Sequence, residues 1–343
     1  MILFYSSDAN ALFKKDILTV LSLPTNQSVH FRYSQNFVAP DLLATLSQQE
    51  GREALIVYVK NNNPDIHEDQ RVVHTLPIRR AIIIRTRIDE HTQLVHFSLQ
   101  LEEFITCDVA YPADPGKIPP RQFVSHADLK TFTRISWHKK IEELVNFDNN
   151  FQESLFYYVQ INKTKNGGVV SIDPRFDPYE EASYFKISEG RPYQLDLSIY
   201  ISETNADDFE KYECKLEYNQ KDFVISNPSS IIIGTQMDNR RYKLVTKTID
   251  TVKSFDYLKL IAQKTDGSTV TQFYETLLRF HVRKSRSRAL LFVFYILLSV
   301  FGTALVATSR NKVGDYLIGQ ICVGVAFAVG AALGLYYHFN KRG

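Results

Sequence analysis

Three groupings of titratable residues in this chain could do chemistry, and each has an ordinary structural use to set beside it. Asp173, Asp177, Glu180 and Glu181 crowd into the stretch DPRFDPYEE, where oxygen donors could hold a hard cation. Their spacing matches no calcium-loop pattern and prolines break the run, so solvated loop carboxylates are the preferred reading. Asp207 and Asp208, upstream of Glu213-Cys-Lys215, imitate part of a nuclease metal site, but the residues around them alternate as in a strand. Of nine histidines, His91 and His96 come nearest to a pair, and a spacing of five puts them on opposite faces of a strand. No Gly-x-x-x-x-Gly-Lys loop, Gly-x-Gly-x-x-Gly turn, Gly-x-Ser-x-Gly elbow, His-Glu-x-x-His or Cys-x-x-Cys occurs. No catalytic residue, metal ligand or cofactor is therefore assigned, and the chain is expected to be a non-enzyme.

Charge narrows the partners. The 343 residues carry 40 Lys and Arg against 38 Asp and Glu, a net charge of +2. Past Arg288 only Arg310, Lys312, Lys341 and Arg342 are basic and only Asp315 is acidic, so the part before it is near neutral. Such a surface lacks the cationic surplus that phosphate contacts require, and Arg79, Arg80, Arg85 and Arg87 read as a strand face balanced by nearby acids. Nucleic acid is not an expected direct ligand. Nothing in the sequence names a small-molecule ligand.

The clearest signal lies at the other end of the chain. Ala289 to Thr308 is free of charge, and a helix of that length spans roughly 30 Å, the thickness of bilayer hydrocarbon. After a polar link, Leu317 to Tyr337 meets the same rule and closes on paired tyrosines of the kind that settle at headgroup level. Two spans, 289–308 and 317–337, are expected to form a transmembrane hairpin. Arg279, Arg283, Lys284, Arg286 and Arg288 form a basic collar before it, which by the positive-inside rule places both termini in the cytoplasm, at the cell (inner) membrane. Topology is the preferred role of the collar, with binding of anionic lipid as the second. Arg310 and Lys312 dissent weakly. No secretion signal precedes Ser6, and three scattered cysteines suit a reducing compartment. Within the second span Cys322, Ala326, Gly330 and Gly334 recur every four residues and stack on one face, which Gly302 of the first span or another protomer could approach closely.

The elements in front of the hairpin fall into two regions, a mixed α/β domain over 1–149 and a β-sandwich over 150–283, with collar and hairpin over 284–343. Met1 to Tyr5 reads as a buried strand, Ala9 to Leu23 as a helix, Val29 to Tyr33 as a strand, Pro40 to Gln48 as a short helix and Ala54 to Val59 as a strand covered on both faces. Period-two alternation follows: Ile82, Ile84 and Ile88 against Ile83, Arg85 and Arg87, then Val95, Phe97, Leu99 and Leu101 against polar neighbours. A proline-rich stretch, 110–121, reads as an irregular connection, and Trp137 to Val145 as an amphipathic helix. Short strand candidates then come at regular spacing, from Phe156 to Ile161 through to Leu278 to Val282. This pattern predicts an antiparallel β-sandwich, with an immunoglobulin-like form as one version, and its last strand leads almost directly into the collar. The expected fold class is thus α+β, mainly β.

This plan, a soluble domain ahead of a basic collar and a two-span hairpin, resembles that of prokaryotic anti-phage membrane effectors. The resemblance covers architecture alone, and no functional residue is carried over from it. It implies a cytoplasmic sensing or partner-binding module, with a protein partner or self-association, that controls an oligomerising hairpin able to disrupt the lipid bilayer. A passive membrane-tethered scaffold or assembly factor that binds a cytosolic protein through the sandwich is the competing expectation.

Overall fold

The computed structural model describes residues 1–7, 11–61, 73–107, 123–128, 131–165, 168–203, 205–220, 223–226, 230–247 and 253–283. The predicted spans and the proline-rich connection lie outside the described residues. What is described is mainly β, with few helices.

The first sheet contains β1 (Ile2–Ser7), β2 (Ser28–Ser34), β3 (Glu53–Asn61), β4 (Val73–Asp89), β5 (Leu94–Thr106), β6 (Val124–His126) and β7 (Thr133–Arg134). Its order is β2-β5-β4-β3-β1-β6, with β7 on β5. β1 and β3 run parallel, separated in sequence by the helix α1 (Ala11–Ser22), β2 and the short helix α2 (Pro40–Ala44), and the other pairs are antiparallel. Ala54 to Val59 are all buried, as a continuous apolar run predicts. Ile2 and Phe4 join the main core on one face, while Leu3, Tyr5, Leu55, Val57 and Ile105 form a smaller cluster on the other. The expected alternation in β4 is corrected in part. Ile83, assigned to the wet face, is fully buried opposite Leu99, and Ile88, opposite Val95 after a bulge between Ile83 and Arg85, is exposed at the end of the strand.

Arg79 also departs from its expected surface role. It shares the parity of Ala81 and Ile83 and so points inward, where it is fully buried. Its guanidinium donates to the carbonyls of Val20 (2.8 Å) and Leu23 (2.6 Å) at the end of α1 and to that of Glu102 (2.7 Å), and it lies 4.3 Å from the Phe104 ring. The last turn of α1 holds no basic residue, so a distant arginine caps it. Burial lowers the Arg79 pKa to about 10, which still leaves the group charged at neutral pH.

α3 (Trp137–Phe147) begins at Ser136, whose hydroxyl accepts from the Lys139 amide at 3.3 Å. Trp137 leads back to α1 by donating from Nε1 to the Leu21 carbonyl at 3.0 Å.

Two further sheets follow. One has the order β10 (Arg175–Asp177), β11 (Ala182–Ser188), β18 (Thr269–Arg283), β17 (Lys253–Asp266), β13 (Tyr212–Tyr218) and β15 (Ser230–Ile232). The other has the order β14 (Phe223–Ile225), β16 (Met237–Thr246), β12 (Pro192–Ile201), β8 (Leu155–Lys165) and β9 (Gly168–Ser171). All pairs are antiparallel except β11 with β18. The faces made by Leu155, Tyr157, Val159 and Ile161 of β8 and by Tyr274, Thr276, Leu278 and Phe280 of β18 are buried against one another. The Tyr157 and Tyr274 rings stack at 4.8 Å, and Phe223 meets Phe280 at 5.3 Å. This arrangement is consistent with a β-sandwich.

A polar knot ties α1 to both facing sheets. Ser22 Oγ and Tyr157 Oη each lie 2.7 Å from Thr276 Oγ1, Tyr157 Oη is 3.0 Å from the Leu260 carbonyl, and the Tyr157 amide donates to Tyr274 Oη at 3.0 Å. One cluster of buried apolar residues accordingly runs from Ile2 to Val282.

Replacing Arg79 by Met would leave three interior carbonyls without their donor, so a loss of about 3–5 kcal/mol in unfolding free energy is expected. The emission of Trp137, the single tryptophan, reports the same helix end. An unfolding midpoint followed by that emission and equal to wild type would contradict the capping role.

Candidate functional site

β18 positions the first candidate site. Along it Tyr274, Thr276, Leu278, Phe280 and Val282 face the core, so Glu275, Leu277, Arg279, His281 and Arg283 share the opposite face. Arg279 and Arg283 of the predicted collar thus belong to a strand of the folded domain. Lys284, Arg286 and Arg288, with Gly302, Cys322, Ala326, Gly330 and Gly334, lie outside the described residues.

Cross-strand register sets the neighbours of these cations. Tyr257 of β17 and Tyr184 of β11 flank Arg279, and Phe255 and Lys186 flank His281. The Phe255 ring stacks on His281 at 4.6 Å, and Tyr184 lies 5.4 Å from the same imidazole. Phe255 remains 63% exposed and Tyr257 51%. Together with Tyr179, Leu277 and Phe280 they line an open cleft of about 530 Å³ with three acidic members: Asp177 and Glu180, from the end of β10 and the turn after it, and the buried Asp256, between the two aromatics on β17. Because β11 runs parallel to β18, that turn sits at the end away from Arg283. Apart from the buried Asp256, the acids of the cleft therefore lie away from the chain exit, where Arg283 sits. Phe255 and Tyr257 were legible in principle, since their parity in β17 matches Lys259 and opposes the core residues Leu258 and Leu260.

The second grouping was missed because its members are distant in sequence. His96 pairs not with His91, which sits in the turn after β4, but with His30 of β2: Nε2 of His30 and Nδ1 of His96 are 2.9 Å apart. Arg32 and Arg87 lie opposite His96 on the two adjoining strands. Glu181 reaches over from the β10–β11 turn to Arg87 Nε (2.8 Å) and Arg85 Nε (3.5 Å). It does so from a left-handed φ of 49°, which an L-residue adopts at a small cost. Asp16, His30, Glu181, Ser183 and Glu275 line a smaller groove of about 290 Å³, and Glu180, Ala182, Leu277 and Arg279 border both grooves.

Burial lowers the pKa of His30, helped by the charge of His96; burial and Arg87 lower that of His96, with Glu181 opposing in both. Burial raises Asp16 to about 6, with Arg32 opposing.

The acids of DPRFDPYEE disperse. Asp173 accepts from Asn26 (3.0 Å), Asp177 caps its own turn through the Tyr179 amide (2.9 Å), Glu180 lies 3.8 Å from Arg279, and Glu181 takes the two arginines. Glu213 accepts from Gln263 (2.7 Å), Asp208 pairs with Lys211 (2.7 Å), and burial raises the pKa of the enclosed Cys214 thiol. Among the described residues no group of three or more His, Cys, Asp or Glu is placed to hold a metal ion, and no helix is long and apolar enough to cross a membrane.

No known protein family and no curated protein matches this chain. Among solved structures it is similar to the periplasmic chaperone SfaE, at 14% identity and a TM-score of 0.21 over 29% of this chain and 53% of that one. A cohesin module of a family 33 glycoside hydrolase from Clostridium perfringens gives 12% identity and a TM-score of 0.21, over 37% of this chain and 99% of the module. CfaE, the adhesive subunit of the CFA/I fimbria of enterotoxigenic Escherichia coli, gives 9% identity and a TM-score of 0.18 over 76% of this chain and 87% of that one. The chain thus spans about half the length of the chaperone it matches. At these TM-scores the likenesses carry no argument about function.

The two titrating sets act in opposite directions on stability. Histidines with lowered pKa contribute stability above the unfolded value of about 6.5 that is lost as pH falls, whereas Asp16 favours the fold as pH falls through about 6. Substituting His30→Gln together with His96→Gln should flatten the loss of melting temperature on going from about pH 7.5 to about pH 5.5, and Asp16→Asn should steepen it. Identical pH profiles for all three proteins would contradict the assignment.

Proposed function

We propose that this chain is a membrane-anchored, non-enzymatic recognition or sensing protein. In this reading the domain over 1–283 lies in the cytoplasm, with an immunoglobulin-like sandwich as its recognition module, and is coupled to an oligomerising transmembrane hairpin formed by 289–308 and 317–337. The action proposed is that of an anti-phage effector: binding of a protein partner, or self-association, favours clustering of hairpins that disrupt the bilayer. Nucleic acid is not proposed as a direct ligand.

The observation that supports coupling best is the path of β18. This strand lies between β11 and β17, holds the Thr276 knot with α1 and Tyr157, and ends at Arg283. Only the segment 284–288 separates it from the first charge-free run, so in this reading a repacking of α1 or the sandwich has a short route along the chain to the hairpin. A passive scaffold is the second reading, favoured by the open aromatic cleft, which suits a protein partner.

Expression in bacteria with a membrane-potential dye tests the effector reading. Depolarisation is expected from the wild-type chain and is expected to fall when Gly330 and Gly334 become leucine, which blocks close helix approach. Depolarisation unchanged by those substitutions removes the role of the small-residue face. Full function after exchange of the hairpin for an unrelated two-span anchor supports the scaffold instead.

A further inference from the structure

We infer that the outer face of the sheet at the end of β18 rests on the anionic headgroup layer of the bilayer, with Phe255 and Tyr257 seated in the interface. The inference rests on the membrane-anchored reading and adds to it a lipid contact made by the folded domain itself.

Reach limits how far the domain can stand from the membrane. Phe255 shares a cross-strand row with His281, two residues before Arg283 and so roughly 7 Å from it along the strand. The segment 284–288 spans at most about 18 Å even when fully extended, and the charge-free run begins at Ala289. A domain held on so short a lead must present some surface to the headgroups, and the surface beside the lead is this one.

The composition of this face suits such a contact. Phe255 and Tyr257 are both more than half exposed, although β17 could bury or replace them with polar residues as it does at Lys259. Phenol and phenyl rings beside guanidinium groups suit the bilayer interface, where an apolar body meets a polar, anionic layer. Arg279 stands in the row of Tyr257, and Arg283 stands at the exit. Of the acids of this cleft, Asp177 and Glu180 lie at the far end of the face, and Asp256, between the two aromatics, is buried on the core-side parity of β17 and accepts from the Tyr257 amide, so the outer surface of the exit end is complementary to anionic lipid.

The full-length chain is reconstituted in vesicles of phosphatidylcholine with or without phosphatidylserine, with Phe255→Trp and Tyr257→Trp compared in turn. The buried Trp137 of the unsubstituted chain provides the blank. Brominated phosphatidylcholine should lower the emission of each added tryptophan by about twofold relative to unbrominated lipid when phosphatidylserine is present, and less without it. Replacing both Arg279 and Arg283 by Gln should reduce the quenching. An added tryptophan that stays unquenched while the chain resists a carbonate wash overturns the inference and leaves the anchor standing. A chain removed by that wash overturns the anchored reading itself. Emission shielded from acrylamide but untouched by bromine means that protein covers the face, and quenching indifferent to phosphatidylserine means that anionic lipid is not what it meets; either result overturns the inference.

Discussion

The structure depends on one buried hydroxyl. Thr276 Oγ1, at the centre of β18, meets Ser22 of α1 and Tyr157 of β8 at 2.7 Å each, and Tyr157 in turn reaches the backbone of β17. Polar atoms in such an interior are tolerated only when satisfied, so these groups hold each other in a single arrangement. Burial keeps the Tyr157 and Tyr274 hydroxyls protonated well beyond neutral pH, so the knot does not loosen through their ionisation. A hydrophobic contact would tolerate sliding between layers, whereas this geometry does not. Arg79 performs the matching task at the other side of α1 by closing its C-terminal carbonyls from β4.

That constraint gives the exit strand its significance. β18 is fixed along its length by β11, β17, α1 and the opposing sheet, yet its outer face carries aromatics and cations that the core does not use. The β10–β11 turn divides this face from the His30–His96 cluster, with Glu181 gripping arginines on one side and Glu180 lying near Arg279 on the other. Both grooves are therefore lined in part by the strand that leads to the predicted spans.

Much of the fold was legible because burial imposes parity. Val95, Phe97, Leu99 and Leu101 are buried as their alternation demands, and so are Tyr193, Leu195, Leu197, Ile199 and Ile201. The helices at Ala11–Ser22 and Trp137–Phe147 follow from spacing and flanking residues. What escaped has a physical cause in each case. Arg79 looks like a surface residue because charge normally stays in water, and only the tertiary demand of the α1 carbonyls reverses that preference. The parallel pairing of β11 with β18 and the contact of His30 with His96 join segments far apart in sequence, to which local periodicity is blind. The bulge after Ile83 shifts a register that composition alone presents as continuous. Two cations of the collar, Arg279 and Arg283, were visible as charge, but their place on a strand face came only with the register.

Through this knot α1, the facing sheets and the exit strand form one interlocked body. Native-state hydrogen exchange of the backbone amides as a function of denaturant tests it most directly. Amides of α1, β8 and β18 are expected to share one opening free energy, which Thr276→Val lowers for all three together. Opening of α1 at a distinctly lower free energy, with β18 untouched by Thr276→Val, would contradict it.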